Sequence, residues 1–324
     1  MISVGRGAIL GPTRTENCTM MTIGRPGLAA ILVWFTAAGC AHAPLVRAPY
    51  AVDPPLDRPT IFADSTVTTV NGIAFAHDAR TIYVSRWVPD RDSTGRQRLR
   101  IFEHRYVNGG WSQPTPAPFS SAFTDYQPVM SPDGARLYFQ STRPLAPGTG
   151  EVLQNLWFVE RRGDGWGPAR PIDELNTGSR EGYAAPLIDG TLYFNSDRPG
   201  GRGLQDFYRA RWEAGRYSPP VPVRELNTPD SENDLVVDPR GRFVIFNRYI
   251  EATRGIDLYV AFRDGDDWGT PRKLDAVNGP EWELTPSISP DGRYFFYTVN
   301  TVIHQVDLAA LFYEDEPVPG RLRR

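Results

Sequence analysis

The chain has 324 residues, 23% of them charged, and a net charge of −3. That balance lacks the basic excess of a nucleic-acid-binding surface, so no nucleic-acid partner is expected. Its 30 glycines and 30 prolines suit many short strands joined by turns and argue against a helical bundle.

Residues 28–38 (LAAILVWFTAA) form an apolar run after Arg25. It is too short to span a bilayer and has the length of a signal-peptide core. The run leads into AAGC, with Gly39 and Cys40 placed like the small residue and lipidated cysteine of a bacterial lipoprotein signal. Ala37 stands where that pattern prefers leucine. The alternative is plain secretion with cleavage near Ala43. The first 20 residues fit a signal peptide poorly, which makes Met20 and Met21 alternative starts. Residues 1–40 are therefore expected to be a signal peptide, with lipidation at Cys40. Cys18 and Cys40 are the only cysteines, so the exported body has no disulfide and depends on its own core. Residues 41–59 are Pro-rich without periodicity. They read as an extended tether, or else as an irregular loop packed on the domain.

From Thr60 onward the chain repeats itself. Residues 131–144 (SPDGARLYFQSTRP) read as a tight turn feeding a strand. Pro presets the turn's second position, Asp-Gly accepts the angles that follow, and Tyr and Phe favour a strand. Copies stand at 289–300 (SPDGRYFFYTVN), 238–248 (DPRGRFVIFNR) and 188–199 (IDGTLYFNSDRP). A worn copy at 76–86 (AHDARTIYVSR) has His77 and Ala79 in place of the turn's Pro and Gly. A glycine-bearing turn, an aromatic and a proline follow at 108–114, 163–168, 214–220 and 265–271. Trp166, Tyr217 and Trp268 lie 51 residues apart, as do Asp206 and Asp257, and the ELNT segments at 174–177 and 225–228. Independent landmarks sharing one period define an internal repeat.

Each unit reads as four strands: the run before the SPDG turn, the LYF-like strand, a DLYVAFR-like strand, and a PIDEL or PVREL segment. Antiparallel units of this kind and period are propeller blades. Counting gives an all-β, five-bladed β-propeller over residues 60–313, with six blades as the alternative. The blades span about 69–121, 122–177, 178–228, 229–279 and 280–313. The last reaches a third strand at 307–313 (DLAALFY) and lacks a fourth. Residues 60–63 are expected to supply it and close the ring, with 317–322 as the rival. Closure removes an exposed sheet edge. Residues 314–324 read as a polar tail.

The pattern SPDGxxLYF, SxRPGGxG, D[FL]Y is best kept at 194–208 (FNSDRPGGRGLQDFY). It resembles the Pro-Asp-type propeller repeats of the TolB family and of envelope lipoproteins that link secretion machinery to peptidoglycan. The resemblance covers about 60–313. It implies a bacterial envelope protein and, by fold-level analogy, a binding or scaffolding module whose partner is an envelope protein or peptidoglycan/glycan; a monomer without cofactor is expected. By analogy with sorting rules, Ala41 after the lipidated cysteine implies the outer membrane, facing the periplasm. The peptidoglycan-binding and peptidase domains often fused to such propellers have no counterpart, and their activities are not carried over.

In an up-and-down blade, the entry to strand one and the exit from strand two share a face. That face is expected to collect the acids Asp125, Glu181, Glu232 and Glu283 and the arginines Arg86, Arg143, Arg198 and Arg248. Tyr126, Tyr183, Asp234 and Trp282 fall nearby. One reading is a funnel mouth for a glycan or extended peptide, where guanidinium forks bind carboxylates and aromatic faces stack. The other is that each arginine pairs with a blade acid and pins the ring. Repetition in every blade favours the second reading and leaves the unrepeated Tyr126, Asp234 and Trp282 as the better ligand contacts. Asp125, Glu232 and Glu283 could also serve a glycan-cleaving hydrolase or lyase as axial carboxylates, the alternative function. His42, His77, His104 and His304 have no metal-ligand spacing, so no metal is expected. The acids of 264–267 (DGDD) fall at a repeated hairpin. The aromatics of the repeated turns are expected to pack between blades.

Overall fold

The computed structural model describes residues 48–312 apart from 54, 64 and 147–149. Cys40, the leader and the polar tail lie outside the described residues. Five sheets with a common antiparallel four-strand order form a five-bladed β-propeller. Blade one holds Ile73–Phe75, Thr81–Arg91, Gln97–Val107 and Thr115–Pro116. Blade two holds Asp125–Met130, Arg136–Ser141, Asn155–Arg162 and Arg170–Pro171. Blade three holds Glu181–Pro186, Leu192–Ser196, Asp206–Ala210 and Val221–Pro222. Blade four holds Ser231–Val237, Phe243–Ile250, Gly255–Asp264 and Arg272–Lys273. Blade five holds Leu284–Ile288, Tyr294–Val299 and Val302–Asp307, and Thr60–Ile61 completes it. Thr60 pairs with Gln305 and Ile61 with His304, which closes the ring through the N-terminal strand.

The second strands explain why the blades stack. Leu137, Tyr138 and Phe139 are all buried, because each sheet is covered on both faces. Leu137 and Phe139 join the core shared with blade one, while Tyr138 joins the core shared with blade three. Five such apolar clusters fill the five blade interfaces. The turn aromatics act as the sequence predicts and lean on the preceding blade. The Trp166 indole donates to Tyr83 Oη at 3.0 Å. The Tyr217 and Tyr138 hydroxyls lie 3.1 Å apart, and the ring centroids of Trp268 and Tyr193 are 6.0 Å apart. Phe312 fills the corresponding place on blade four, 5.3 Å from both Phe243 and Phe262.

Three expectations need correction. The third strand of blade five is Val302–Asp307, and the DLAALFY segment turns into a 3-10 helix at Leu308–Leu311. Its alternate apolar residues serve a packed corner instead of a pleat. The fourth strands are only two residues long, since PIDEL and PVREL curl into turns. There the amides of Asn176, Asn227 and Asn278 bracket the backbone N–H and C=O of Leu156, Phe207 and Leu258. That is why LNT recurs. Finally, the segment read as a tether packs against blade five from Ala48 onward. Tyr50 is buried against Phe75, Tyr294 and Phe296, and the Val52 N–H donates to Tyr294 Oη at 3.0 Å. An aromatic side chain that large is best placed out of water.

Candidate functional site

The repeated acids and arginines form one device three times. Arg143 grips Asp125 with Nε and Nη2 at 3.1 and 2.9 Å and donates to the Phe119 carbonyl at 2.6 Å. Arg198 meets Glu181 at 3.2 Å and the Leu175 carbonyl at 2.9 Å. Arg248 meets Glu232 at 2.8 Å and the Leu226 carbonyl at 3.1 Å. Each acid also ties down the loop before it, through the N–H and hydroxyl of Ser121, Thr177 or Thr228. Each guanidinium lies over two rings of its own blade, such as Phe194 and Tyr208 under Arg198. The three acid side chains are 0% exposed. These six groups spend their hydrogen-bonding capacity on the ring, which matches the fastener reading. Even so, burial raises the pKa of Glu232 despite the opposing hydrogen bonds from Thr228 and the charge of Arg248.

Two blades lack the device. Blade one has Val70 at the acid position opposite Arg86. Blade five keeps Glu283 but has Val299 where blade four has Arg248. Glu283 Oε1 accepts from Gly279 N at 3.0 Å, while Oε2 is buried without a hydrogen bond. Burial, and then the charge of Asp257, push its pKa up.

An axial cavity lies elsewhere. A channel of about 490 Å³ runs along the axis from the face of the SPDG turns, opposite the face expected from the sequence. The first strands of blades two to five each carry a bulge beside this channel. Register shifts follow Tyr126, Gly182, Asn233 and Leu284. Gln127, Tyr183 and Thr285 hold φ near +50°, and Gly72 +74°. Non-glycine residues sustain such angles at about 1–2 kcal/mol each, and strain of this kind clusters at functional sites.

With Asp234, these residues make the floor of the channel. Asp234 Oδ2 accepts from Thr285 N at 2.7 Å and Asn247 Nδ2 at 2.8 Å, and Oδ1 accepts from Gln127 Nε2 at 3.2 Å. Gln127 is held in turn by Gln140 at 2.9 Å. Burial outweighs these hydrogen bonds and lifts the Asp234 pKa to about 6. Burial and the Asp234 charge push the Tyr183 phenol well above its ordinary range. The walls above are apolar, with Ala74, Pro128, Ala185, Pro286 and Ile288 among them, and the 69%-exposed Ile188 stands at the rim.

Of the residues picked from sequence, the structure brings Tyr183 and Asp234 together at this floor. Tyr126, whose hydroxyl donates to Gln154 at 2.8 Å, is half-buried beside them and feels the Asp234 charge. Trp282 stands apart, exposed on the other face. Sequence reading missed Gln127 and Thr285. The signal was present two residues after the blade-acid position, where the residue changes from blade to blade (Gly72, Gln127, Tyr183, Asp234, Thr285) inside an otherwise regular repeat. No cluster of three or more metal-ligating side chains occurs among the described residues.

No protein-family model matches the sequence, and no curated protein matches it. Among solved structures, the chain is similar to a candidate TolB from Agrobacterium tumefaciens, at 14% identity and a TM-score of 0.48, over 75% of this chain and 80% of that one. It is similar to a gluconolactonase from Xanthomonas campestris at 16% identity and a TM-score of 0.45, over 81% and 98% of the two chains. The tricorn protease matches at 15% identity and a TM-score of 0.46, over 76% of this chain and 22% of that one. At these levels of similarity they assign no activity to this chain.

Proposed function

We propose that the chain is a non-catalytic binding module of the bacterial cell envelope. It admits an extended segment of an envelope protein or cell-wall component into the axial channel from the face of the SPDG turns. The observation that carries this reading is the channel itself, with apolar walls, an exposed Ile188 at the rim and a polar floor at Asp234. Sites that take ligands share this plan of apolar lining with a few convergent polar groups. The envelope location is supported by the leader-like residues 28–40, with lipidation at Cys40. The hydrolase or lyase alternative loses support because Asp125 and Glu232 are committed to arginines and neither they nor Glu283 line the channel.

A photo-crosslinking amino acid placed at Ile188 tests the reading in envelope extracts, with one at Trp282 on the opposite face as control. A discrete partner is expected from position 188, and Ala185→Phe, which narrows the channel, should abolish it. Equal labelling from both positions, or labelling indifferent to Ala185→Phe in a folded variant, would sink the channel as the binding site.

A further inference from the structure

A second cavity, of about 640 Å³, lies between blades three and four beside the channel mouth. Five arginines line it: Arg209 and Arg211 from blade three, and Arg240, Arg242 and Arg263 from blade four. Among the described residues, the only lining carboxylate is Asp189. Arg242 is neutralised by Asp238 at 2.6 Å. The other four make no ion pair among the described residues. Arg209 reaches only the Asp266 carbonyl at 3.4 Å, and Arg263 donates to the Gly265 carbonyl at 3.1 Å while lying over Trp268.

The repeat supplies a control inside the same molecule. The corresponding cleft between blades two and three is balanced: Asp133, Glu160 and Asp189 face Arg136 and Arg161, Arg136 pairs with Glu160 at 3.1 Å, and Trp212 covers it. One blade on, Arg211 stands at the position of Glu160, Arg240 at that of Asp189, and Arg263 at that of Trp212. Two acids and a covering ring have become three cations facing one cavity.

The change at Arg240 is compensated. In blades two and five, the turn's third residue, Asp133 or Asp291, accepts the backbone N–H two residues on. In blade four Asp238, at the turn's first position, takes over and accepts from Arg240 N at 3.0 Å and Arg242 N at 3.2 Å. The turn is kept while its third side chain becomes a cation. Mutual repulsion of four unpaired guanidinium groups in a chain of net charge −3 is relieved by a bound anion, and the guanidinium fork matches phosphate oxygens two at a time.

We propose that this cleft is a binding site for a small soluble ligand carrying two phosphate groups, gripped by Arg209 and Arg211 on one wall and by Arg240 and Arg263 on the other. It is separate from the channel floor. Titration calorimetry of the full chain with inorganic pyrophosphate tests it. Saturable binding is expected, weakened at least about tenfold by Arg240→Asp and again by Arg211→Glu, since each removes a charge-assisted contact. Arg240→Asp restores the residue of the neighbouring turns, which protects the fold, and circular dichroism verifies it. Arg161→Gln, in the balanced cleft, should leave affinity unchanged. Absence of saturable binding, or affinity indifferent to Arg240→Asp and Arg211→Glu, would overturn the site. Sedimentation with phosphatidylglycerol vesicles without pyrophosphate binding would overturn the soluble ligand in favour of a membrane surface.

Discussion

Asp234 keeps its proton up to about pH 6 because burial outweighs the hydrogen bonds from Thr285, Gln127 and Asn247. In the unfolded chain an aspartate releases its proton near ~4, so the fold favours the protonated form. That stabilisation is complete below the unfolded pKa and is lost as pH rises through about 6. Over that interval Asp234→Asn should remove a drift of about 3 kcal/mol, read as the difference between urea-unfolding free energies of the two proteins at pH 4 and pH 7. The two kinds of blade acid should respond oppositely to substitution. Arg198→Met strands the buried Glu181 and should cost about 3–5 kcal/mol, with Glu181→Gln in the same chain recovering much of it. Glu283→Gln should instead raise stability by about 1 kcal/mol at neutral pH, because the carboxylate it removes is buried, raised in pKa and half unsatisfied. Denaturant titration of the three variants checks the contrast.

At the scale of the blade, the turn between the first two strands is the repeated grammar of the fold. Gly134, Gly241 and Gly292 all sit at φ +69°, an angle glycine adopts without steric cost. Blade one places Ala79 there at φ +56°. Ala79→Gly should therefore raise the melting temperature, by the equivalent of about 1 kcal/mol. A lower melting temperature would show that the alanine's contacts outweigh its backbone strain. This turn also shows why the blades were legible in the sequence. SPDG, LYF and the 51-residue period answer to local geometry and to the burial of both sheet faces, which every blade needs alike. The channel was not legible, because its floor is set beside bulges in four first strands. A bulge adds one residue without a fixed signature: Gln127, Tyr183 and Thr285 share a backbone angle and no chemistry. The clamps fell in between. Their residue types were plain, but the acids' burial and the arginines' bonds to the Phe119, Leu175 and Leu226 carbonyls, which separate a fastener from a binding mouth, were not.

Across the whole molecule, the ring is held shut by a short join. Thr60–Ile61 pairs with Val302–Asp307, backed by Tyr50, Phe62 and Tyr294 in one apolar cluster. Deleting the chain through Ile61 should expose the outer edge of blade five, and an open edge invites pairing with another molecule. Size-exclusion chromatography should then show association, and thermal unfolding should lose its single sharp transition. A monomer melting like the intact chain would show that the other four interfaces suffice.

The same join sets the order in which the molecule can be completed. Blade five unites a strand made before all the others with three made after them, so its sheet cannot form until nearly the whole propeller has left the ribosome. Contacts this distant in sequence form slowly. Of the five sheets, blade five's is thus the one whose assembly waits longest on synthesis, because its first-made strand pairs with its last-made one.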